Sequence, residues 1–296
     1  MTTTERTKYK PVDSPLKWHG GKSYLAKKIV VLFPPKCKNP NNPDKDDPGY
    51  LHYVEPFAGG LSVLLANDPE GVSEVVNDKH GSLTNFWQML KSPYYFRFFE
   101  QSVQATPFSD KHWNDAAKRL SNHLGMDYPC WEMAADFFVV CRQSLAGRMD
   151  AFAPRSRSRT RQGMNEQVAA WLSCVDGLPQ VHARLKRVLI LNGDALEVIR
   201  KEDGPRTLFY LDPPYLHSTR TTTGEYEHEM DTESHAKLLD TLKQLKGRFL
   251  LSGYHSDLYD RWAAEGDYRC YEFDISNNAA GGKEKRRMVE CVWSNY

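Results

Sequence analysis

What the chain lacks narrows the field first. Its six cysteines (Cys37, Cys130, Cys141, Cys174, Cys270 and Cys291) are scattered, with no Cys-x-x-Cys pair. Neither a local zinc motif nor a disulfide framework is therefore indicated, and a reducing, cytoplasmic setting is expected. No apolar run reaches the ~20 residues that cross a bilayer. The opening residues carry no apolar core of a secretion signal. No histidines are paired at three- or four-residue helical spacing, so no metal is expected. Charge of one sign is missing too: Lys and Arg number 39 against 38 Asp and Glu, a net +1, without the bulk basicity of many nucleic-acid binders. What remains is a 296-residue chain, 40% hydrophobic and 26% charged, long enough for one α/β domain with a smaller domain inserted.

Periodicity supplies the organisation. Residues 23–33, 61–66, 82–90, 195–200 and 232–245 read as helices. Residues 50–56, 72–76, 188–191, 207–211 and 249–252 read as strands, and 268–275 with 288–294 as a closing antiparallel hairpin. Strands alternating with helices predict a Rossmann-like α/β fold whose sheet is mostly parallel. Between residues 93 and 185 the alternation stops and helical stretches such as 130–141 dominate, with a Gly/Arg/Ser-rich loop or hairpin at 144–165. The expected division is an α/β domain of residues 1–92 and 186–296 and a mainly helical subdomain of 93–185.

Three places could carry chemistry. The turn Glu55-Pro56-Phe57-Ala58-Gly59-Gly60 follows a strand and opens a helix, a setting in which glycines let backbone approach a ligand. It is not a G-x-G-x-x-G, and a plain β–α turn reads equally well. Asp78 ends the next strand about twenty residues on, where doubly wound folds place a ribose-binding acid. Gly21-Lys22-Ser23 is not a P-loop: Leu16 stands where the upstream glycine belongs, and Pro11 and Pro15 interrupt the strand it would need. Asp212-Pro213-Pro214-Tyr215 ends an apolar strand. Two prolines fix the backbone and remove two donors, leaving acceptors (a carboxylate and a main-chain carbonyl) beside an aromatic ring. That combination suits an exocyclic amine on a flat heterocycle.

Taken in order, Lys17-Trp18-His19-Gly20-Gly21-Lys22, Val54 through Gly60, Asn77-Asp78 and Asp212-Pro213-Pro214-Tyr215 resemble the Dam-type DNA N6-adenine methyltransferases. Cys141 through Arg148 looks like a degraded form of that family's Asn-Arg…Phe-Asn-Gly segment. The resemblance runs from about residue 15 to the C-terminus and is patchy from 93 to 188. It implies a double-stranded DNA substrate, S-adenosyl-L-methionine as methyl donor, and DNA modification in a bacterial or phage-infected cell. Trp18, Gly21, Lys22, Glu55, Pro56, Phe57, Ala58, Gly59, Asp78, Asp194 and Asp212 fall on cofactor positions, with Lys22 near the methionine carboxylate and Asp78 on the ribose. Asp212, Pro213, Pro214 and Tyr215 fall on the catalytic motif, with Tyr215 stacking on a flipped base. Basic residues for DNA are expected at Arg142, Arg148, Arg155, Arg157, Arg159, Arg161, Lys283 and Arg286, although basic runs alone are usually solvated loops. The rival readings are an amino-group methyltransferase acting on RNA or protein, and a catalytically silent DNA-binding module.

Overall fold

The computed structural model describes residues 9–38, 49–122, 129–154, 156–216, 230–276 and 287–296. It divides into two compact units. One comprises residues 1–33, 59–70 and 85–187; the other comprises 34–58, 71–84 and 188–296. The helical unit ends at residue 187, and the N-terminal segment groups with it.

The sheet unit is built on β1 (His52–Glu55), β2 (Ser73–Asn77), β5 (Val188–Leu191), β6 (Thr207–Leu211), β7 (Arg248–Gly253), β8 (Arg269–Ser276) and β9 (Arg287–Ser294). Their order across the sheet is β5-β2-β1-β6-β7-β9-β8. Every pairing from β5 to β7 is parallel, and β9 runs antiparallel to both β7 and β8. The expected α/β fold with a closing antiparallel hairpin is present. β6 reads Thr-Leu-Phe-Tyr-Leu and is buried at every position, as a strand covered on both faces must be. Helices α9 (Ala195–Glu202), α10 (Thr232–Lys243) and α11 (Asp257–Glu265) press Ile199, Leu238, Leu242 and Trp262 onto Val54, Phe209, Phe249 and Trp293.

Strand order locates the ligand crevice. From β1 the chain steps outward to β2 and β5, then returns to place β6 on the other side of β1. This reversal is the switch point at which open α/β sheets bind ligands, beyond the carboxyl ends of the strands. The register pairs Val54 with Phe209, so the residues after Glu55 and those after Leu211 emerge side by side.

The other unit is helical. It contains α1 (Ala26–Val31), α2 (Ser62–Ala66), most of α3 (Gly81–Lys91), α4 (Pro93–Gln104), α5 (Asp110–Asn122), α6 (Trp131–Gln143), α7 (Glu166–Asp176) and α8 (Leu178–Leu185). At its centre α6 is apolar around nearly its whole circumference and buries Phe137, Phe138, Val139 and Val140, the pattern of an internal helix. Phe138 stacks on Phe86 at 5.7 Å and meets Phe99 and Trp171. The one buried acid of this helix, Asp136, is held by both Nε and Nη2 of Arg119, at 2.9 and 2.6 Å. A two-stranded hairpin, β3 (Thr160–Arg161) and β4 (Met164–Asn165), turns at Gln162 and Gly163, both with positive φ, the geometry of a tight two-residue hairpin turn. Among the described residues no helix is long and apolar enough to cross a membrane.

Candidate active site

In the sheet unit, the carboxyl ends of three strands are tied by one side chain. Asn77, the last residue of β2, is fully enclosed. Its amide nitrogen donates to the carbonyls of Pro56 (3.0 Å) and Gly193 (3.1 Å), and its amide oxygen accepts from the Gly193 N–H (2.9 Å). The β1 turn and the turn between β5 and α9 are thereby fixed to β2. Asp78 follows, half exposed. Its carboxylate accepts from the His80 N–H at 2.9 Å, and its carbonyl accepts from Asn192 and Thr84. Asp194 caps α9, accepting from the N–H groups of Leu196 and Glu197, a purely local use of its carboxylate. Glu55 is buried and accepts from the Tyr53 hydroxyl at 2.6 Å. Burial, reinforced by the Glu55 charge, pushes the Tyr53 phenol well above its ordinary value, so the phenol stays a neutral donor to Glu55. Phe57 packs against the sheet core, and the Ala58 N–H donates to the Asn77 carbonyl.

Asp212-Pro213-Pro214-Tyr215 leaves β6 at the switch point. The Tyr215 hydroxyl lies 3.2 Å from Asp212 Oδ1 and also contacts Glu290 Oε1 on β9. Glu290 is fully buried. Burial is the main cause that raises the Tyr215 phenol well above its usual value, with the Asp212 and Glu290 charges adding to it. The phenol therefore keeps its proton across the physiological range, as a single donor between two carboxylates. Its ring meets Tyr254 edge-on at 4.7 Å. Tyr215, Leu216, Gly253, Tyr254 and Tyr259 line a narrow cleft too tight to admit a water molecule. Around the Asp212-to-Tyr215 segment singled out in the sequence, the structure brings Glu290 and Tyr254, which the sequence reading did not assign to the site.

In the helical unit, Gly21 N–H closes a turn on the Trp18 carbonyl at 3.0 Å. The buried Lys22 ammonium donates to the Gly20 carbonyl at 2.9 Å. Trp18 lies on the glycine turn that precedes α2. Gly59 has φ +48°, and a Cβ there would come within 3.0 Å of the indole, so both conformation and space call for glycine. The Gly59 carbonyl also accepts from Trp87 Nε1 at 3.1 Å.

Of the basic residues, Arg148, Arg157, Arg159 and Arg161 are exposed. Arg159 pairs with Glu166 at 2.9 Å. Arg142 instead turns inward, donating to the Ala170 carbonyl at 3.3 Å. Its charge is felt by Lys17, which burial first and Arg142 second hold below the ordinary lysine value. Arg155, Lys283 and Arg286 lie outside the described residues.

The sequence pattern of the D12 class N6 adenine-specific DNA methyltransferases matches residues 18–124 and 176–277. The chain belongs to this family. The matched segments contain every cofactor and catalytic position named above. They leave out residues 125–175, with the arginine-bearing hairpin, and β9, with Glu290. Two relatives align along nearly their whole length. The Type II methyltransferase M.MjaIII of Methanocaldococcus jannaschii is 22% identical, over 95% of this chain and 98% of its own. The Type II methyltransferase M.CviBI of a Paramecium bursaria Chlorella virus is 20% identical, over 95% and 98%. As a D12-class enzyme the protein is an adenine-specific DNA methyltransferase, a class whose catalysis depends on S-adenosylmethionine. The rivals acting on RNA or protein, and the silent module, are not favoured.

Proposed function

We propose that this methyltransferase modifies N6 of an adenine rotated out of double-stranded DNA at a specific sequence, with Asp212 and the Pro213 carbonyl gripping the amine. The observation that carries this reading is the position of Asp212 at the switch-point end of β6, bonded to Tyr215 at the mouth of an aromatic cleft. A paired adenine keeps N6 inside the duplex, so extrusion into a pocket is required. The amine's lone pair is delocalised into the ring. Asp212 and the Pro213 carbonyl, accepting one hydrogen each, favour the pyramidal form in which that pair is available. A positive charge developing on N6 strengthens the bond to Asp212 in the transition state, where it accelerates the reaction. Pro214 fixes the backbone that aims both acceptors. Tyr215 and Tyr254, both partly exposed, are the rings available to a base.

The residues present suit S-adenosylmethionine, which supplies the electrophilic methyl. Asp78 is a half-exposed acid at a strand end, suited to a ribose diol. Lys22 is a buried cation set in a turn, suited to an amino-acid carboxylate. In the sheet unit Pro56, Phe57 and Ala58, and in the helical unit Trp18, Gly21 and Gly59, are the further candidates for cofactor contact, with Glu55 and Asp194 acting through the bonds they make to Tyr53 and to the α9 amides. The Type II designation of both relatives supports a modification enzyme of the kind that accompanies a restriction endonuclease. Residues 93–185 would form the recognition subdomain. The test is product analysis: DNA, RNA and protein are each incubated with labelled methyl donor and digested. N6-methyldeoxyadenosine in one sequence context is expected, and label in RNA or protein alone would overturn the reading.

The exposed arginines of the 144–165 segment are proposed to hold phosphates, which fix register without reading bases. Replacing Arg157 and Arg161 together with glutamine is expected to make the dependence of log K on log salt shallower by roughly 1–2 units, at about 0.9 per phosphate contact. Arg159→Gln should add less, because Glu166 already neutralises that charge. Filter binding over a salt series reads the slope, and an unchanged slope returns these arginines to the solvated surface.

A further inference from the structure

The end of the sheet carries a second cluster of chemically capable side chains, outside the catalytic motif. His255 lies two residues past β7, Cys270 is on β8 and Cys291 on β9. Their ligand-forming atoms all lie within 4.8 Å of one another. The register explains the convergence: Cys270 faces Trp293 and Glu272 faces Cys291. Directly opposed residues share a face, and so do residues two apart along a strand, so Cys270, Glu272 and Cys291 project together. His255 meets the ring of Trp293, on that same face, edge-on at 6.1 Å. Its Nε2 is 3.2 Å from Glu272 Oε1, and its Nδ1 is 2.7 Å from Asp260 Oδ1.

We propose that His255, Cys270 Sγ and Cys291 Sγ form a three-ligand site for a zinc-class divalent cation, with the Glu272 carboxylate, 3.2 Å from His255 Nε2, the nearest group for the fourth position. Two thiolates with an imidazole and a carboxylate are the donor set such ions select. Ligand bonds of about 2.0–2.3 Å put the donors of a tetrahedron about 3.3–3.8 Å apart, so closing the three donors on an ion needs a contraction of at most about 1.5 Å. Asp260 on Nδ1 fixes the ring and leaves Nε2 on the side of Glu272, Asp260 being the usual kind of outer partner for a metal-bound histidine. A Cys270–Cys291 disulfide is the competing use of these thiols, and the register opposes it. The two cysteines are diagonal neighbours, with Cα atoms typically about 7–8 Å apart, beyond the span of an unstrained disulfide. The expectation of no metal from sequence rested on local spacing, whereas these donors come from three separate segments.

The site's effect would be positional. Cys291 adjoins Glu290, whose side chain points to the opposite face of β9 and holds the Tyr215 hydroxyl. His255 adjoins Tyr254, which packs on the Tyr215 ring. A bound ion would fasten the edge hairpin to the segment leading into α11, and so steady both neighbours of Tyr215.

Cobalt(II) is the probe. The full-length reduced chain is expected to bind one equivalent, with thiolate-to-cobalt charge-transfer absorption and the intense d–d bands of a tetrahedral centre, both bleached by added zinc. Cys270→Ser and His255→Gln, at exposed positions, should weaken binding at least tenfold with unchanged far-ultraviolet dichroism. Cys130→Ser should keep the full spectrum. Zinc should raise the melting midpoint of the wild-type chain and leave that of Cys270→Ser where it was. Absence of thiolate–cobalt bands, bands that persist in both variants, or a Cys270–Cys291 disulfide in freshly purified protein would each overturn the proposal. None of these readouts depends on methyl transfer.

Discussion

Asp212→Ala is expected to lower the single-turnover rate of methyl transfer to DNA by about a thousandfold or more, equivalent to about 4 kcal/mol of transition-state stabilisation. Removing a preorganised group aimed at developing charge commonly has this size. Asp212 is partly exposed and lies past the end of β6, so its loss opens no core cavity, and the Tyr215 hydroxyl keeps Glu290 as partner. Folding and DNA affinity should therefore survive, which separates this result from simple unfolding. Asp212→Asn keeps one carbonyl acceptor without the charge and should fall between wild type and alanine. Rapid-quench assays with labelled methyl donor, alongside near-ultraviolet dichroism, check both points. Wild-type rates in the alanine variant would remove Asp212 from the chemistry.

The largest effect on stability is expected at Asn77. Its side chain makes three hydrogen bonds in a fully enclosed setting. Asn77→Ala forfeits all three and strands the Gly193 N–H and two carbonyls, at a combined cost of about 3–5 kcal/mol. For a chain of this length that lowers the melting midpoint by roughly 5–8 °C. Asn77→Asp offers a sharper check. It keeps an acceptor for Gly193 but sets a carboxylate against the carbonyls of Pro56 and Gly193, so it should be at least as damaging as alanine. Because Asn77 anchors the backbone on either side of Asp78, residual activity should show a raised KM for the methyl donor. Differential scanning calorimetry decides the first point. A midpoint within about a degree of wild type would mean that the three strand ends hold together without it.

Much of this was readable in the chain. The strand expected at residues 207–211 is β6, because Thr-Leu-Phe-Tyr-Leu is a continuous apolar run closed by Asp-Pro-Pro, and 188–191 is β5 for similar reasons. Helix α1 begins at Ala26, later than the 23 expected, since Lys22 to Leu25 form turns before the helix starts. Helix α11 went unread although its signals were present: Ser256 caps it, Asp257 and Asp260 occupy its first turn, and Gly266 ends it. Its apolar face is short and its charged residues hid the period. Glu290 could not be read at all. A single acid in an apolar strand signals nothing until the antiparallel insertion of β9 brings it against Tyr215. Arg142 is a mirror case: its charge suggested an outward role, and α7 supplies a carbonyl that one of its donors meets inward.

The hydroxyl shared by Tyr215 has a kinetic consequence. At rest, the oxygen of Asp212 that would receive the amine already holds a proton donor, so it is not left bare to bulk solvent. Under the proposed function, an adenine amine reaching Asp212 would exchange one donor for another there, with little new desolvation, while the phenol would keep Glu290 as its partner.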